Sequence, residues 1–440
     1  MALEHVRGPR PQPGESAVVV GAGRSGLAAT RLLRRLGARV RLLDRKTDAL
    51  TGPQQAELRA AGVDVRLGGH TPEQFADAAY VIPSPGLPVA ALAPLVAAGG
   101  GGGGRKAPEI LAEMELAWRC LDEEPVLAVT GTSGKTTTAS LAAAMLQAQG
   151  YAVFLGGNIG TPLSEYVLAG RKADVLVLEI SSFQLQGCTT FCPRAGILLN
   201  ISPNHLDYHK DMAEYVEAKF RLFRCQDDGD LAVLGEGVRD LAAAWPLRGR
   251  KVWVAGGPSR FPRSGLMGAH NAFNAEAAWQ ACRLFGVSES NAARAVADFR
   301  PLPHRLERVA ERGGVLFVND SKCTTVAALE VALRAFDRPV RLLCGGKFKG
   351  GDFAALAPLV REKVVHIGLF GASREEFERA WAGIAPMSWH PALREAVAEL
   401  AGAAVPGDAV LLAPATSSFD LYKNYMARGD DFKRIVGELA

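Results

Sequence analysis

A short glycine-rich segment in the middle of the chain has the residue types of a nucleotide-phosphate site. The segment runs through Gly131, Thr132, Ser133, Gly134, Lys135, Thr136 and Thr137. It follows a strand-like apolar stretch and precedes a helix-like one, so its backbone N–H groups can converge on phosphate oxygens, with Lys135 as a charge and Thr136 as a hydroxyl for Mg²⁺. The strict pattern has glycine where this chain has Val129, and a chance glycine-rich helix start is the alternative. The strand–loop–helix order favours ATP binding.

A second glycine-rich turn near the start of the chain has the form of a mononucleotide-binding fingerprint. Gly21, Gly23 and Gly26 stand between an apolar run and a helical pattern, and Asp44 closes the next apolar run. Such a turn also serves plain strand-to-helix packing. The acid at the strand end favours a nucleotide or a nucleotide sugar.

Polar side chains follow predicted strands of the central region. Glu179 closes an apolar run, and Asn200 leads from the next strand into a loop with His205, Asp207 and His209. Because an unpaired buried carboxylate is costly, Glu179 is expected to have a metal ion or a hydrogen-bonded partner. A lone histidine is usually structural, so His205 has two interpretations, a structural one and one at a metal site.

Lys219 lies on the apolar stripe of a predicted helix. Tyr215 and Val216 precede it by four and three residues, and Phe223 follows it by four. That spacing places all of them on one helix face. A lysine in such a position usually extends its stem until the amine reaches solvent, and a reactive or modified amine is the alternative. The residues alone favour the solvent-exposed amine.

Charged and hydroxyl residues also follow strand-like runs in the last third of the chain. Asp320 and Lys322 follow one run, Lys349 another, and Ser418 a third. At the carboxyl ends of parallel strands these side chains could form a pocket for a small anionic substrate. Taken singly, each lysine fits a solvated rim equally well.

The length and the order of these elements predict an α/β protein of three domains. The chain has 440 residues, long for a single core. Strand-like runs alternate with helical patterns throughout, which is typical of mostly parallel sheets. The expected domains are 1–122, with the nucleotide fingerprint, 123–303, a central P-loop-type ATPase domain, and 304–440, a third α/β unit.

Composition excludes several other classes of protein. The net charge is +4, too small to indicate a nucleic-acid or membrane surface, and the seven cysteines lack the spacing of a disulfide framework or a zinc site. The polar first seventeen residues do not resemble a signal peptide, so we expect a cytoplasmic protein. Residues 78–104 are uncharged, but prolines and the glycine run from Gly99 predict a strand, a loop and a flexible insertion rather than a membrane span.

A set of motifs in one order along the whole chain closely resembles the Mur ligase family. The motifs are GTSGKTT at 131–137, Gly157-Asn158, residues 178–185, Asn200 with His205 and Asp207, His270-Asn271 with Asn274, His304-Arg305, residues 319–322, and Ser418 with Lys423-Asn424. The elements at 178–185, 319–322 and 414–429 resemble the members that add D-glutamate. The Asp-Asn-Pro-Arg signature of the members that add diaminopimelate or lysine is absent from the sequence.

The resemblance implies an activity. It is the ATP-dependent joining of D-glutamate to UDP-N-acetylmuramoyl-L-alanine through an acyl phosphate, a step of peptidoglycan precursor synthesis. It also implies Mg²⁺, with two ions, a monomeric enzyme, and Rossmann-like first and third domains for the UDP-sugar and the amino acid. No nucleic acid and no membrane insertion are expected.

The resemblance also assigns residues by position. Residues implied in catalysis are Lys135, Asn158, His205, Lys219 and Arg305. Residues implied at the nucleotide are 131–137, Asn271, Asn274, Arg305 and Asp320. Residues implied at the metal are Thr136, Glu179, His205 and Lys219, the last as a carbamate. Those implied at the UDP-sugar and at D-glutamate are Ser25 and Asp44, and Lys322, Lys349, Ser418 and Tyr425, respectively.

The sequence departs from the family pattern at three places. Asn204 stands where the family usually has aspartate, Thr325 where it has asparagine, and residues 99–104 replace a more ordered segment.

Three other functions are alternatives to that of the family. An NAD-dependent oxidoreductase would use Gly21 and Asp44 but leaves 131–137 unexplained. A folylpolyglutamate-type ligase would not be expected to have the UDP-sugar domain, and a non-catalytic protein would bind ATP without forming an amide.

Overall fold

A computed structural model shows three β-sheets, each flanked by helices. The described residues are 7–100, 107–170, 172–206 and 208–439. They divide into two compact units, of which unit 1 contains two sheets and unit 2 the third. Unit 1 comprises 1–261 and 273–297, and unit 2 comprises 262–272 and 298–440. The predicted α/β class with parallel sheets is confirmed.

The first sheet of unit 1 is entirely parallel, in the order β3-β2-β1-β4-β5. Its strands are β1 Ser16–Val20, β2 Arg39–Asp44, β3 Asp64–Leu67, β4 Tyr80–Pro83 and β5 Glu109–Ile110. Its helices are α1 Arg24–Arg35, α2 Gly52–Ala60, α3 Val89–Gly100 and α4 Glu113–Trp118. Every residue of β1 is buried, as expected for a central strand covered on both faces.

Helix α3 covers Val89–Gly100, where the sequence predicts a loop and the start of a flexible insertion, so that prediction was wrong. The helix includes Pro94, but it buries Leu92 and Val96 in an apolar cluster, and this packing outweighs the one backbone hydrogen bond that a proline forfeits. A Cβ at Gly99 would lie 2.0 Å from the carbonyl oxygen of Pro72, so glycine allows the helix end to approach that turn. Residues 101–106 of the glycine run lie outside the described residues.

The second sheet of unit 1 is also entirely parallel, in the order β11-β10-β9-β6-β8-β7. Its strands are β6 Val126–Thr130, β7 Val153–Gly157, β8 Val175–Glu179, β9 Ala195–Leu198, β10 Leu231–Gly235 and β11 Arg250–Val254. The helices are α5 Lys135–Ala148, α6 Leu163–Ala169, α7 Ser182–Gln186, α8 Met212–Phe220, α9 Arg239–Ala242, α10 Ala269–Cys282 and α11 Glu289–Asp298. Strand β6 lies between β8 and β9, so the carboxyl ends of these three strands form one edge of the sheet.

The sheet of unit 2 has one antiparallel edge strand, β12, in the order β12-β13-β17-β14-β15-β16. Its strands are β12 Glu307–Arg312, β13 Val315–Asn319, β14 Val340–Gly345, β15 Val364–Phe370, β16 Met387–His390 and β17 Ala409–Leu412. Its helices are α12 Val326–Leu333, α13 Ala357–Lys363, α14 Arg374–Trp381, α15 Leu393–Gly402 and α16 Tyr425–Glu438. The ends of β13, β17 and β14 are adjacent.

Two further observations concern the class of protein. All seven cysteines carry free thiols. Among the described residues, the helices are too short or too polar to cross a bilayer.

A buried carboxylate on α4 fastens the two sheets of unit 1 together. Glu115 has no exposed surface, and it accepts hydrogen bonds from the backbone N–H groups of Thr189, Thr190 and Phe191 at 3.0–3.2 Å. Both threonine hydroxyls and Arg119 Nε also donate to it. Six donors compensate the desolvation of one carboxylate, and α4 is thereby joined to the segment that follows α7.

Replacing Glu115 with alanine is expected to lower the free energy of unfolding by about 3–5 kcal/mol, because three backbone donors and the Arg119 cation then stay buried with fewer acceptors. Urea denaturation would measure the loss. Glu57→Ala, which removes an exposed carboxylate on α2, is the matched control and should change stability by less than about 0.5 kcal/mol. Equal stability of the two variants would contradict the role given to Glu115.

Candidate active site

The phosphate loop between β6 and α5 is a backbone cradle. Gly131 and Gly134 adopt φ values of +152° and +85°, which favour glycine, and Gly134 has no side chain to cap the first turn of α5. Lys135 Nζ donates to the carbonyl oxygens of Gly131 and Thr132, each at 2.9 Å. The N–H groups at the start of α5 can therefore serve an anion, as the sequence predicts, with Thr136 and Thr137 in the first turn.

Two side chains outside the loop hold it in place. Asn200 Oδ1 accepts hydrogen bonds from the N–H groups of Thr132 and Ser133 at 3.1 and 2.9 Å, and its amide donates to the Ser133 carbonyl oxygen at 3.2 Å. The hydroxyl groups of Thr132 and Tyr215 lie 3.0 Å apart. The sequence placed Asn200 at a strand end but missed this bracing role, for which its position after β9 was the available signal.

Lys219 is buried beneath the phosphate loop, so the expectation that its amine reaches solvent was wrong. The residue is 1% exposed, Nζ donates to the Gly131 carbonyl oxygen at 2.9 Å, and the amine lies 4.6 Å from the centre of the Tyr215 ring. Burial, with a smaller contribution from the charge of Lys135, lowers the pKa of Lys219 to about 6. At neutral pH most of this amine is uncharged and nucleophilic.

Glu179 ends β8 with one carboxylate oxygen engaged and one unpartnered. Asn158 Nδ2 donates to Oε1 at 2.7 Å, and the Asn158 backbone N–H donates to the Glu179 carbonyl oxygen at 2.8 Å. Within the described part of the chain, Oε2 is buried without a hydrogen-bond partner. A buried oxygen of this kind fits a cation, since a hard divalent ion would compensate its lost hydration.

The loop after β9 presents His205 and buries His209. His205 is exposed at φ +56°, its ring lies 4.8 Å from that of Phe183, and its backbone N–H donates to Asn204 Oδ1 at 2.9 Å. His209 Nε2 lies 2.9 Å from Ser182 Oγ, which ties the loop to α7. Asp207 lies outside the described residues. Asn204, a departure from the family pattern, therefore supports the unusual backbone of His205.

No three His, Cys, Asp or Glu side chains in the described ranges are arranged to hold a metal ion. Glu179 and His205 do not form a complete site between them, and the metal set of Thr136, Glu179, His205 and Lys219 stays a prediction. Of the other two residues, Thr136 offers a hydroxyl oxygen, whereas the unmodified amine of Lys219 is not a ligand for Mg²⁺. A carbamate on Lys219 would add the missing anionic oxygens.

The amino-terminal fingerprint folds as the tight turn that its glycines predict. Gly21 has φ +107°, and a Cβ at Gly26 would lie 1.9 Å from the Gly21 carbonyl oxygen. The two oxygens of Asp44 accept from the N–H groups of Ala22 and Lys46 at 2.7 and 2.9 Å. Ser25 lies half-buried in the first turn of α1. Asp44 thus shapes this turn, while contacts of Ser25 and Asp44 with uridine stay predictions.

Helix α10 contributes one predicted nucleotide residue to each unit. In unit 1, a Cβ at Gly134 would lie 2.5 Å from Asn274 Oδ1, so Asn274 contacts the phosphate loop. In unit 2, Asn271 Nδ2 donates to the Met267 carbonyl oxygen at 2.7 Å. Both asparagines are buried.

In unit 2, Asp320 lies at the end of β13 and accepts from the Leu306 N–H at 3.2 Å. Burial raises its pKa to about 7, against the opposing charge of Arg305. Lys322 Nζ lies 4.0 Å from the centre of the Tyr425 ring, which places those two predicted residues together.

The other predicted substrate residues of unit 2 lie on neighbouring loops. Lys349 Nζ is 5.1 Å from the centre of the Phe419 ring. Ser418, which directly precedes Phe419, is buried. The sequence missed Arg428, a fully buried cation at the same edge of the sheet. Arg428 lies within the element at 414–429 that resembles the family, but the sequence of that element does not show that the side chain is buried.

Comparisons with known proteins cover all of these regions. The family models that match are the Mur ligase MurD-like N-terminal domain at 15–100, the Mur ligase middle domain at 129–257, and the Mur ligase glutamate ligase domain at 304–416. These ranges include the fingerprint, the phosphate loop and the strand ends of unit 2.

Relatives of known name match over essentially the whole chain. A UDP-N-acetylmuramoylalanine–D-glutamate ligase from Desulfovibrio desulfuricans is 71% identical and covers 100% of both chains. A second protein of that name, from Nitratidesulfovibrio vulgaris, is 63% identical and covers 97% of both. Among solved structures, a MurF ligase from Thermotoga maritima in complex with ADP has a TM-score of 0.60 at 17% identity and covers 98% of this chain and 96% of its own. The last similarity concerns the fold alone.

Proposed function

The chain belongs to the Mur ligase family, and from that membership we propose that it joins D-glutamate to UDP-N-acetylmuramoyl-L-alanine in peptidoglycan precursor synthesis. It is an ATP-dependent ligase. The observation that carries the proposal is the 71% identity to a ligase of that name over the full length of both chains. The phosphate loop with its two inward lysines supplies the ATP site that such a reaction requires.

The reaction proceeds in two steps. The L-alanine carboxylate attacks the γ-phosphorus of ATP, which gives an acyl phosphate and ADP. The amine of D-glutamate then attacks the acyl carbon through a tetrahedral intermediate, which expels phosphate and loses a proton as the amide forms. Both steps concentrate negative charge, so the chain contributes mainly by positioning and by the charges of Lys135 and Arg305.

Magnesium suits the unpartnered Oε2 of Glu179, and we assign Thr136, Glu179, His205 and a carbamate on Lys219 as the residues that would hold one or two ions. The ions supply charge neutralisation at the phosphates. The neutral, buried amine of Lys219 has the nucleophilicity that addition to CO₂ requires. If the reaction uses a protein base, His205 is the candidate, but a single nitrogen cannot both ligate a metal and accept the proton.

The remaining site residues are proposed by position. Gly131 to Thr137, Asn271, Asn274, Arg305 and Asp320 are assigned to ATP, with Asn158 at the acyl-phosphate end. Ser25 and Asp44 are assigned to the UDP-sugar, and Lys322, Lys349, Ser418 and Tyr425 to D-glutamate. The buried Asn274 beside Gly134 and the pairing of Lys322 with Tyr425 support these assignments.

We also propose that the three sheets correspond to the three domains 1–122, 123–303 and 304–440. One chain carries a residue for every proposed ligand, which supports a monomeric enzyme. ATP and the nucleotide sugar are cytoplasmic metabolites, which supports a cytoplasmic location.

The test is phosphate release from ATP and Mg²⁺ with UDP-N-acetylmuramoyl-L-alanine and D-glutamate, L-glutamate or no amino acid, with the product mass measured in parallel. We expect turnover and amide formation with D-glutamate alone, and at least about 10²-fold less with L-glutamate. ATP binding without turnover under all three conditions would contradict the function. Product formation with L-glutamate at an equal rate would contradict the stereochemistry.

A further inference from the structure

Arg428 lies on the first turns of α16 and reaches beneath three strand ends of unit 2. Nε donates to Ser321 Oγ at 3.0 Å, and Nη2 donates to the carbonyl oxygens of Ser321 and Thr416 at 3.0 and 3.1 Å. Nη1 donates to the Gly345 carbonyl oxygen at 3.2 Å. The acceptors follow or end β13, β17 and β14, which are neighbours in the sheet.

The burial of this cation is unusual because its hydrogen-bond partners carry no charge. The side chain has no exposed surface, and in the part of unit 2 that the structure describes no carboxylate forms an ion pair with it at 4 Å or less. An isolated buried charge is costly unless several polar groups solvate it. Four oxygens do so here, and the planar guanidinium is the side chain whose donors can reach all four at once.

The braced loops carry the residues proposed for the amino acid. Ser321 directly precedes Lys322, Gly345 is four residues before Lys349, and Thr416 is two before Ser418. A second contact strengthens the arrangement, since Ser321 Oγ donates to the Tyr425 carbonyl oxygen at 2.8 Å, at the start of α16. Gly346 is also required there, because a Cβ on it would lie 2.2 Å from the Ser417 carbonyl oxygen and 3.0 Å from Arg428 Nη1.

We propose that Arg428 is a positioning residue for D-glutamate, which fixes the loops of Lys322, Lys349 and Ser418 in one arrangement without contacting the substrate. The proposal rests on the proposed function for the identity of the substrate. The brace itself is a property of unit 2. Removing the guanidinium group of Arg428 should let the three loops move independently, which weakens the binding of a substrate that contacts all of them.

The experiment compares Arg428→Lys with Arg434→Lys. Lysine keeps the charge of Arg428 but cannot span three loops, so the KM for D-glutamate should rise about 10–100-fold, since at least two hydrogen bonds are lost. The KM for UDP-N-acetylmuramoyl-L-alanine should stay within about twofold, because the residues assigned to it belong to unit 1. Arg434 lies on the same helix, exposed and paired with Asp431 and Glu438, and its variant should retain both KM values.

Two further measurements keep the proposal testable. Amide hydrogen exchange in the unliganded protein should be faster at 321–323, 346–349 and 416–419 in Arg428→Lys than in Arg434→Lys, whatever the substrate is. If Arg428→Lys does not fold, Ser321→Ala removes one acceptor and should raise the KM for D-glutamate about 3–10-fold.

An unchanged KM for D-glutamate, an equal rise in both KM values, or unchanged exchange in the three loops would overturn the proposal. Absence of any product from the wild-type protein with D-glutamate would instead overturn the proposed function, and the exchange measurement would still decide the role of Arg428.

Discussion

Alanine in place of Lys219 is expected to lower kcat by at least about 10²–10³-fold, because the variant loses the anionic ligand that a carbamate would supply to the metal at the phosphates. The deleted side chain leaves a buried cavity beside Gly131 and Tyr215. Acetate or formate at tens of millimolar should restore part of the activity, since a small carboxylate fits the space that a carbamate would occupy.

The modification itself can be detected separately from activity. Wild-type protein equilibrated with ¹³C-labelled bicarbonate should show a carbamate carbonyl resonance that Lys219→Ala lacks. Lys210→Ala removes an exposed lysine two residues before α8, and this control should keep both the resonance and the activity. Full activity of Lys219→Ala would refute the catalytic role of the carbamate, and identical spectra would refute the modification itself.

Burial of Lys219 also predicts a pH dependence of stability in CO₂-free buffer. The pKa is about 6 in the folded protein and about 10.4 in an unfolded chain. Between these values the unfolded chain binds the extra proton, so Lys219 contributes an increase in the free energy of unfolding as the pH rises from about 6 to about 10. Lys219→Met should flatten that rise, and an equal slope in both proteins would contradict the burial.

Alanine in place of Lys135 should lower kcat/KM for ATP by about 10³-fold, because the phosphate loop loses the positive charge that would stabilise the transferring phosphoryl group. The variant also loses the two hydrogen bonds from Nζ to the Gly131 and Thr132 carbonyl oxygens. Steady-state kinetics with varied ATP would measure the effect. Lys172→Ala, an exposed lysine that pairs with Asp122, is the matched control.

A structural collapse of the loop must be separated from the loss of charge. Lys135→Arg retains the charge, but the longer, planar guanidinium group does not match the two carbonyl oxygens. This variant should therefore recover less than about a tenth of the wild-type activity. Thermal unfolding of both variants should stay close to the wild type. Near-normal kinetics of Lys135→Ala would contradict the assignment of Lys135 to ATP.

Elements with a strong local pattern could be predicted from the sequence. The strand-like run expected before Asp320 is β13 at Val315–Asn319, and the one expected before Ser418 is β17 at Ala409–Leu412. Fully buried parallel strands are continuous apolar runs, so their position is encoded locally. The phosphate loop was predictable for a similar reason, since its glycines are needed for the backbone itself.

Features that depend on distant partners could not be predicted. The direction of the Lys219 amine is set by the packing of α8 against the phosphate loop, about 90 residues away in sequence. Helix α3 forms despite Pro94 because its apolar residues find a tertiary surface. The burial of Arg428 and of Glu115 depends on the loops that surround these side chains, which lie far away in sequence.

The fastening of α4 by Glu115 bears on how the protein melts. The hydrogen bonds between Glu115 on α4 and the loop at 189–191 couple the two sheets of unit 1, because separating the sheets breaks all of these bonds at once. Sheets coupled in this way lose their structure cooperatively. We therefore expect a calorimetric scan to record both sheets of unit 1 in a single heat-absorption peak.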